Sequence, residues 1–215
     1  MRRCFFAVMA VSLGAFALSA CATLTAEQCT TANWQQLGYQ DAVSGHTPDR
    51  LAQHFDACTE HGITPDQTLY EMGHSEGARV YCDPENAFRL GVAGTAPAPI
   101  CPADMAVIFN DNHAAGFGLF ERRRAVNESR NAMVRAERAI EDLERYSADL
   151  ENELAFQNPT PERRNTIVIE LEDNRTERRR IRDDLRRFRS DLRTHERELD
   201  TYKARLEFVV MEPGF

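Results

Sequence analysis

From Leu185 the chain carries large side chains at alternating intervals of three and four: Leu185, Phe188, Leu192, His195, Leu199, Tyr202, Leu206 and Val209. That is the spacing of a coiled-coil seam, in which each residue fits between side chains of a facing helix. Upstream, Leu119, Val126, Met133, Ile140 and Leu154 share one heptad position, and Ala136, Leu143 and Leu150 share the other. Between the two runs, Asn158-Pro159-Thr160-Pro161 stops one helix and starts the next. Helices joined by so short a link fold back on each other as an antiparallel hairpin. If the numbers of facing residues add to 321, Leu154 meets Ile167, Leu150 meets Leu171, Ile140 meets Ile181, Ala136 meets Leu185 and Met133 meets Phe188. Every layer then joins an a position to a d position. Ser147 facing Asn174 makes one polar layer, which fixes register at a cost in stability. With about 45 residues per arm, the rod should be about 65–70 Å long.

Arginine-rich stretches along this rod, "ERRRAV" at 121–126 and "RTERRRIRDDLRRFR" at 175–189, raise the question of nucleic acid. Residues 121–208 hold 21 acids and 21 bases, so no sustained positive field exists to displace counterions from a phosphate backbone. A salt-bridged, solvated helix surface is the expectation, and nucleic acid is not an expected partner. Lipopolysaccharide phosphates against the locally basic stretch from Arg178 to Arg189 are a lesser alternative.

The preceding hundred residues obey different physics. Residues 21–120 hold 12 acids against Arg50, Arg79 and Arg89, a net charge of −9. Thr47-Pro48, Thr64-Pro65, Asp83-Pro84 and Cys101-Pro102 each place proline where a helix begins, and Thr64-x-x-Gln67 reads as a capping box. Gly45 and Gly62 stand where helices stop. These signals predict helices near 32–44, 48–61, 65–81 and 84–92, with another starting near 102. Leu51, Phe55 and Cys58 fall on one face of the second. Glycine pairs in "GYQDAVSG", "GHSEG" and "GVAG" predict tight helix packing rather than a ligand loop. Nothing alternates as a strand would. The expected fold is therefore all-α: a small disulfide-stapled helical head followed by a long antiparallel coiled-coil hairpin.

The first twenty residues read as a leader. Arg2 and Arg3 precede an apolar run, residues 4–18, that is too short to span a bilayer. The run closes on Leu18-Ser19-Ala20-Cys21, which resembles the lipobox of bacterial lipoproteins. The resemblance implies cleavage before Cys21, a diacylglycerol on its thiol and acylation of the new amine. Each buried methylene is worth about 0.8 kcal/mol, so several acyl chains make a durable anchor. Ala22 follows where aspartate would favour the inner membrane, so the expected location is the outer membrane, facing the periplasm. Loss of Arg2 and Arg3 leaves 24 bases against 34 acids, a net charge of −10. In that oxidising compartment Cys29, Cys58, Cys82 and Cys101 should form two disulfides. Three connectivities are open, and pairing of sequence neighbours, Cys29 with Cys58 and Cys82 with Cys101, is the expectation. No two of these cysteines have zinc-site spacing, so no metal site is expected.

An ordered set of residues adds a resemblance. Trp34, Gly38, Tyr39, Asp41, Gly45, Cys58, Gly62, Asp66, Tyr70, Gly73, Gly77, Tyr81-Cys82, Asn86-Ala87-Phe88, Gly91, Gly94 and Cys101 follow the pattern of a family of bacterial lipoproteins filed as domain of unknown function 2799. The resemblance covers residues 29–101. It departs from the family at Ala42, where glycine is usual, and at Thr95-Ala96, where an aromatic is expected. It implies a lipoprotein and names no reaction.

His46, His54, His61, His74 and His113 lie in the head, yet no H-E-x-x-H, G-x-S-x-G, phosphate loop or C-x-x-C accompanies them. Positions at helix ends account for His46 and His61, and surface placement accounts for Asp41 and Glu76. No catalytic residue and no cofactor are expected, and the chain is not read as an enzyme. The expected domains are a signal peptide at 1–20, the lipidated head at 21–104, the hairpin at 105–210 with its turn near 158–161, and a tail at 211–215. The expected function is structural or adaptor: the lipid holds the head at the membrane while the hairpin tip, through Phe156, Gln157, Arg163 and Arg164, meets a protein partner in the cell envelope. Two rods pairing into a homodimer is a further expectation. The rival is a small-ligand or cation-binding module in the acidic head, with the rod as spacer or dimeriser.

Overall fold

A computed structural model describes residues 23–211, with side chains described through Glu207. The leader, Cys21, the side chain of Val209 and most of the tail lie outside these residues. Among the described residues seven helices follow one another: α1 (Ala26–Thr31), α2 (Trp34–Val43), α3 (Arg50–Thr59), α4 (Gln67–Tyr81), α5 (Pro84–Val92), α6 (Ala103–Phe156) and α7 (Pro161–Met211). No strand occurs among the described residues. The chain forms two compact units that divide between Ala78 and Arg79, inside α4.

In the first unit, helix ends follow local chemistry. Gly45 and Gly62 take positive φ, 81° and 74°, where α2 and α3 stop. α1, which the sequence reading did not anticipate, is opened by Thr25 and Gln28 in a capping box. The box expected at Thr64 and Gln67 gives way to Asp66, whose Oδ1 accepts from the Leu69 N–H at 3.0 Å. A shorter acidic side chain one residue before the helix reaches that N–H directly. Leu24, Trp34, Leu51, Tyr70 and the disulfide joining Cys29 to Cys58 form the core. Glycines bring α2 and α4 together backbone to backbone. A Cβ at Gly38 would lie 2.1 Å from the Tyr70 carbonyl oxygen, and one at Gly73 1.8 Å from that of Gln35. The paired glycines are thus packing devices.

The second unit is organised by α6. Asp83 caps α5, accepting from Glu85 N–H at 2.8 Å, with Pro84 in the first turn. Tyr81, Ala87, Phe109 and Cys82, disulfide-bonded to Cys101, form a small core. α5 crosses α6 where Gly91 faces the His113 carbonyl and Gly116 faces that of Phe88, each 2.2 Å from a hypothetical Cβ. The second disulfide and α5 therefore belong with the hairpin.

α6 and α7 pack as that hairpin. Cross-helix pairs have residue numbers adding to between 316, for Tyr146 with Glu170, and 326, for Arg189 with Glu137, bracketing the expected register of 321. Leu119, Val126, Ala136, Leu150, Ile167 and Leu185 are buried in the seam. The arms, of 54 and 51 residues, are longer than expected because α6 starts beneath α5 and ends only at the turn. Interleaved charges pair along and across the helices, as in Arg124–Glu128, Arg178–Glu144, Arg182–Glu144 and Arg130–Glu196.

The polar layer is incompletely satisfied. Asn174 Nδ2 donates to the Leu143 carbonyl at 2.9 Å, while Ser147 Oγ and Asn174 Oδ1 are buried without a partner. Each unpaired buried group costs about 1–3 kcal/mol, so S147L/N174L should raise the Tm of the full chain and broaden its hairpin register, read by cross-linking. Conversely, Gly38→Ala should cost about 2–3 kcal/mol, because the obstructing atom is a backbone carbonyl that cannot move aside; denaturant unfolding measures the loss.

Candidate functional site

Two places in the molecule concentrate chemistry. The first is buried in the first unit. Asp41 on α2, His54 on α3 and Tyr70 on α4 are 9%, 1% and 0% exposed, so the three groups must satisfy one another. Tyr70 OH donates to Asp41 Oδ2 at 2.8 Å, and His54 Nε2 stands 2.8 Å from the same oxygen. His54 Nδ1 lies 2.8 Å from Thr23 Oγ1, whose hydroxyl donates to the Gln53 carbonyl at 3.2 Å. The ring is thus held at both nitrogens, by a carboxylate on one side and a hydroxyl on the other. Nearby, His74 Nε2 donates to the His46 carbonyl at 2.8 Å.

Burial alone would raise the Asp41 pKa. Hydrogen bonds from His54 and Tyr70, with the charges of His54 and His46, more than offset it and hold the carboxyl below its ordinary value. Tyr70 moves the other way, held protonated by burial and by its bond to that carboxylate. The surface placement expected for Asp41 is thus corrected. It points inward because α3 and α4 present a donor each, whereas Glu76 stays on the surface with Gln35 as partner, 3.4 Å away. Asp41 and Tyr70 belong to the ordered pattern in the sequence, but His54 does not. Only the packing of α2, α3 and α4 brings the three together. No group of three His, Cys, Asp or Glu side chains poised to hold a metal ion occurs among the described residues.

The second place is the hairpin tip. Phe156 closes α6 with 82% of its surface exposed. Gln157 caps the helix through its N–H to the Glu153 carbonyl at 3.1 Å, and Asn158 takes a positive φ of 44°. Arg164 then clasps the turn, donating from Nε to the Pro159 carbonyl at 2.9 Å and from Nη2 to Asn158 Oδ1 at 2.6 Å. Arg163 spans the hairpin, to Glu153 at 2.7 Å and Glu170 at 3.3 Å. Both arginines hold the turn in shape, and the ring of Phe156 is the large apolar group at the tip that faces water. Val168 and Ile169, 57% and 61% exposed, add apolar surface on the first turns of α7.

The depressed Asp41 pKa makes a stability prediction. A carboxylate with a lowered folded pKa stabilises the fold above its unfolded value, about 3.9, and that contribution disappears as pH falls through the folded value. Asp41→Asn should therefore lower stability at neutral pH by on the order of 2–3 kcal/mol and flatten the acid limb below about pH 4; urea unfolding across pH 2–7 measures both.

With the geometry in hand, comparison with known proteins adds one match. No curated protein and no solved structure matches the chain. The family match covers residues 33–118 rather than 29–101: it starts after Cys29, takes in the crossing of Gly91 and Gly116, and ends on α6. Residues 33–118 match the family described as protein of unknown function (DUF2799), and the helical hairpin continues beyond the matched segment toward the C-terminus.

Proposed function

We propose that this chain is an outer-membrane lipoprotein, acylated at Cys21 and facing the periplasm, that presents its helical hairpin to a protein partner of the cell envelope. The observation that carries the reading is Phe156: a large aromatic ring, 82% exposed, at the end of a rigid rod whose turn is clasped by its own arginines. Leaving such a ring in water forgoes roughly 2–3 kcal/mol that burial would return. Aromatic side chains centred in a desolvated pocket are the usual anchors of protein interfaces. Val168 and Ile169 widen the surface such a pocket would cover. The partner this chemistry fits is a protein with an apolar cleft rimmed by polar groups that match the charged flanks of the tip. No helix among the described residues is long and apolar enough to cross a membrane. Attachment in this reading is through the lipid on Cys21.

The test places a photo-crosslinking amino acid at position 156 or, as control, at the exposed rod position Arg193, in cells expressing the full chain. A discrete adduct from 156 and none from 193, weakened at least several-fold when Val168 and Ile169 are changed to serine, is the expected result. Adducts independent of position, or none from either, would overturn the adaptor reading and move attention to the acidic first unit as a ligand-binding module. An adduct of twice the chain mass would make the tip a homodimer surface. Mass spectrometry of the N-terminal peptide should find acyl chains on Cys21.

A further inference from the structure

The first unit starts almost at the anchor. Two peptide units separate the Cα atoms of Cys21 and Thr23, a reach of at most about 7 Å. Thr23 is already held by Gln53 and His54, and Leu24 is buried in the core. No linker lies between the proposed lipid and the folded chain, so acylation at Cys21 would set one edge of this unit against the bilayer surface. That edge is the start of α3, and its distinguishing group is Arg50.

Arg50 is the one Lys or Arg side chain between Thr23 and Ala78, a stretch that carries eight carboxylates. It is half-buried and bonds the residue that holds Thr23: Nη1 donates to Gln53 Oε1 at 3.0 Å, and the Gln53 carbonyl receives Thr23. Its Nε is buried without a partner. Arg50 forms no ion pair within 4.0 Å among the described residues, although its charge is felt at Tyr70 inside the unit. It also occupies the first turn of α3, where the helix dipole disfavours a cation. The one Lys or Arg of an acidic unit, placed against its helix dipole and bonded to the residue that holds Thr23, is explained by an anion at that surface.

We propose that Arg50 pairs with the headgroup phosphate of a phospholipid, so that the edge formed by Thr23, Arg50 and Gln53 is the membrane-facing surface of the first unit. A guanidinium matches phosphate oxygens with parallel N–H donors. The acyl chains supply affinity, and this contact supplies orientation. The inference rests on acylation of Cys21.

The test is arginine footprinting with phenylglyoxal on the full lipidated chain, read peptide by peptide by mass spectrometry, in detergent and in vesicles of phosphatidylethanolamine and phosphatidylglycerol. Reactivity of Arg50 should fall about tenfold on transfer to the vesicles, the protection expected of a charge-assisted pair, while Arg79 and Arg89 change little. Vesicles of a neutral glycolipid without phosphate should not protect it, nor should inorganic phosphate added in detergent. Arg50→Lys should retain vesicle binding but lose fixed orientation, read as more uniform carboxyl-directed labelling of the exposed Asp49 and Asp56. Unchanged Arg50 reactivity in phospholipid vesicles, on protein whose Cys21 peptide carries acyl chains, would overturn this inference and leave the anchor standing. Protection by the glycolipid or by free phosphate would overturn the headgroup assignment. A Cys21 peptide without acyl chains would overturn the anchor itself.

Discussion

The seam between α6 and α7 is the interaction on which the second unit depends. Among the described residues α7 packs along α6, and α5 packs on a different face of α6 near its start, through His113 and Gly116, while Tyr202 of α7 meets Ala115 and Gly118. The seam is modest in chemistry, with Ala136, Ser129 and Ser147 among its buried residues. It compensates by length and by charge, since cross-helix ion pairs such as Arg189–Glu137 flank layers that alone would specify register weakly. The polar layer at Ser147 and Asn174 trades stability for a single alignment, and the clasp of Arg163 and Arg164 fixes where that alignment begins.

In the first unit, covalent and electrostatic constraints take the place of a large apolar core. The Cys29–Cys58 disulfide ties α1 to α3, and glycines let α2 and α4 touch through their backbones. A charged group can then be buried because three helices converge closely enough to surround it with donors. Asp41, His54 and Tyr70 form such an arrangement, and Thr23 extends it to the first described residue of the chain. The network thereby links the stability of the unit to the place where the proposed lipid would pull on it.

Much of this was legible beforehand. Pro84, Pro102 and Pro161 mark helix starts because a residue without an N–H is free of cost only there, and the starts of α5, α6 and α7 follow. The register near 321 followed from heptad positions alone. α1 was missed although Thr25-x-x-Gln28 has the form of a capping box, because six residues are too few to show a period. Of the tip, Phe156 lies at the end of α6 with its ring exposed, while Arg163 and Arg164 are engaged by Glu153, Glu170, Asn158 and Pro159. The sequence showed their charge and position, not which acceptors the turn would bring within reach.

Sequence by itself determined the element types, the helix limits near 84 and 161, the antiparallel hairpin and the presence of two disulfides, because each depends on residues near in the chain or on a period repeated many times. Tertiary structure alone decided that Asp41 is buried against His54 and Tyr70, that α5 and the second disulfide pack with α6, and that Arg50 shares Gln53 with Thr23. Those outcomes depend on how closely helices distant in sequence approach. Glycines at 38, 73, 91 and 116 permit that approach, but only the assembled fold reveals which side chains it brings together.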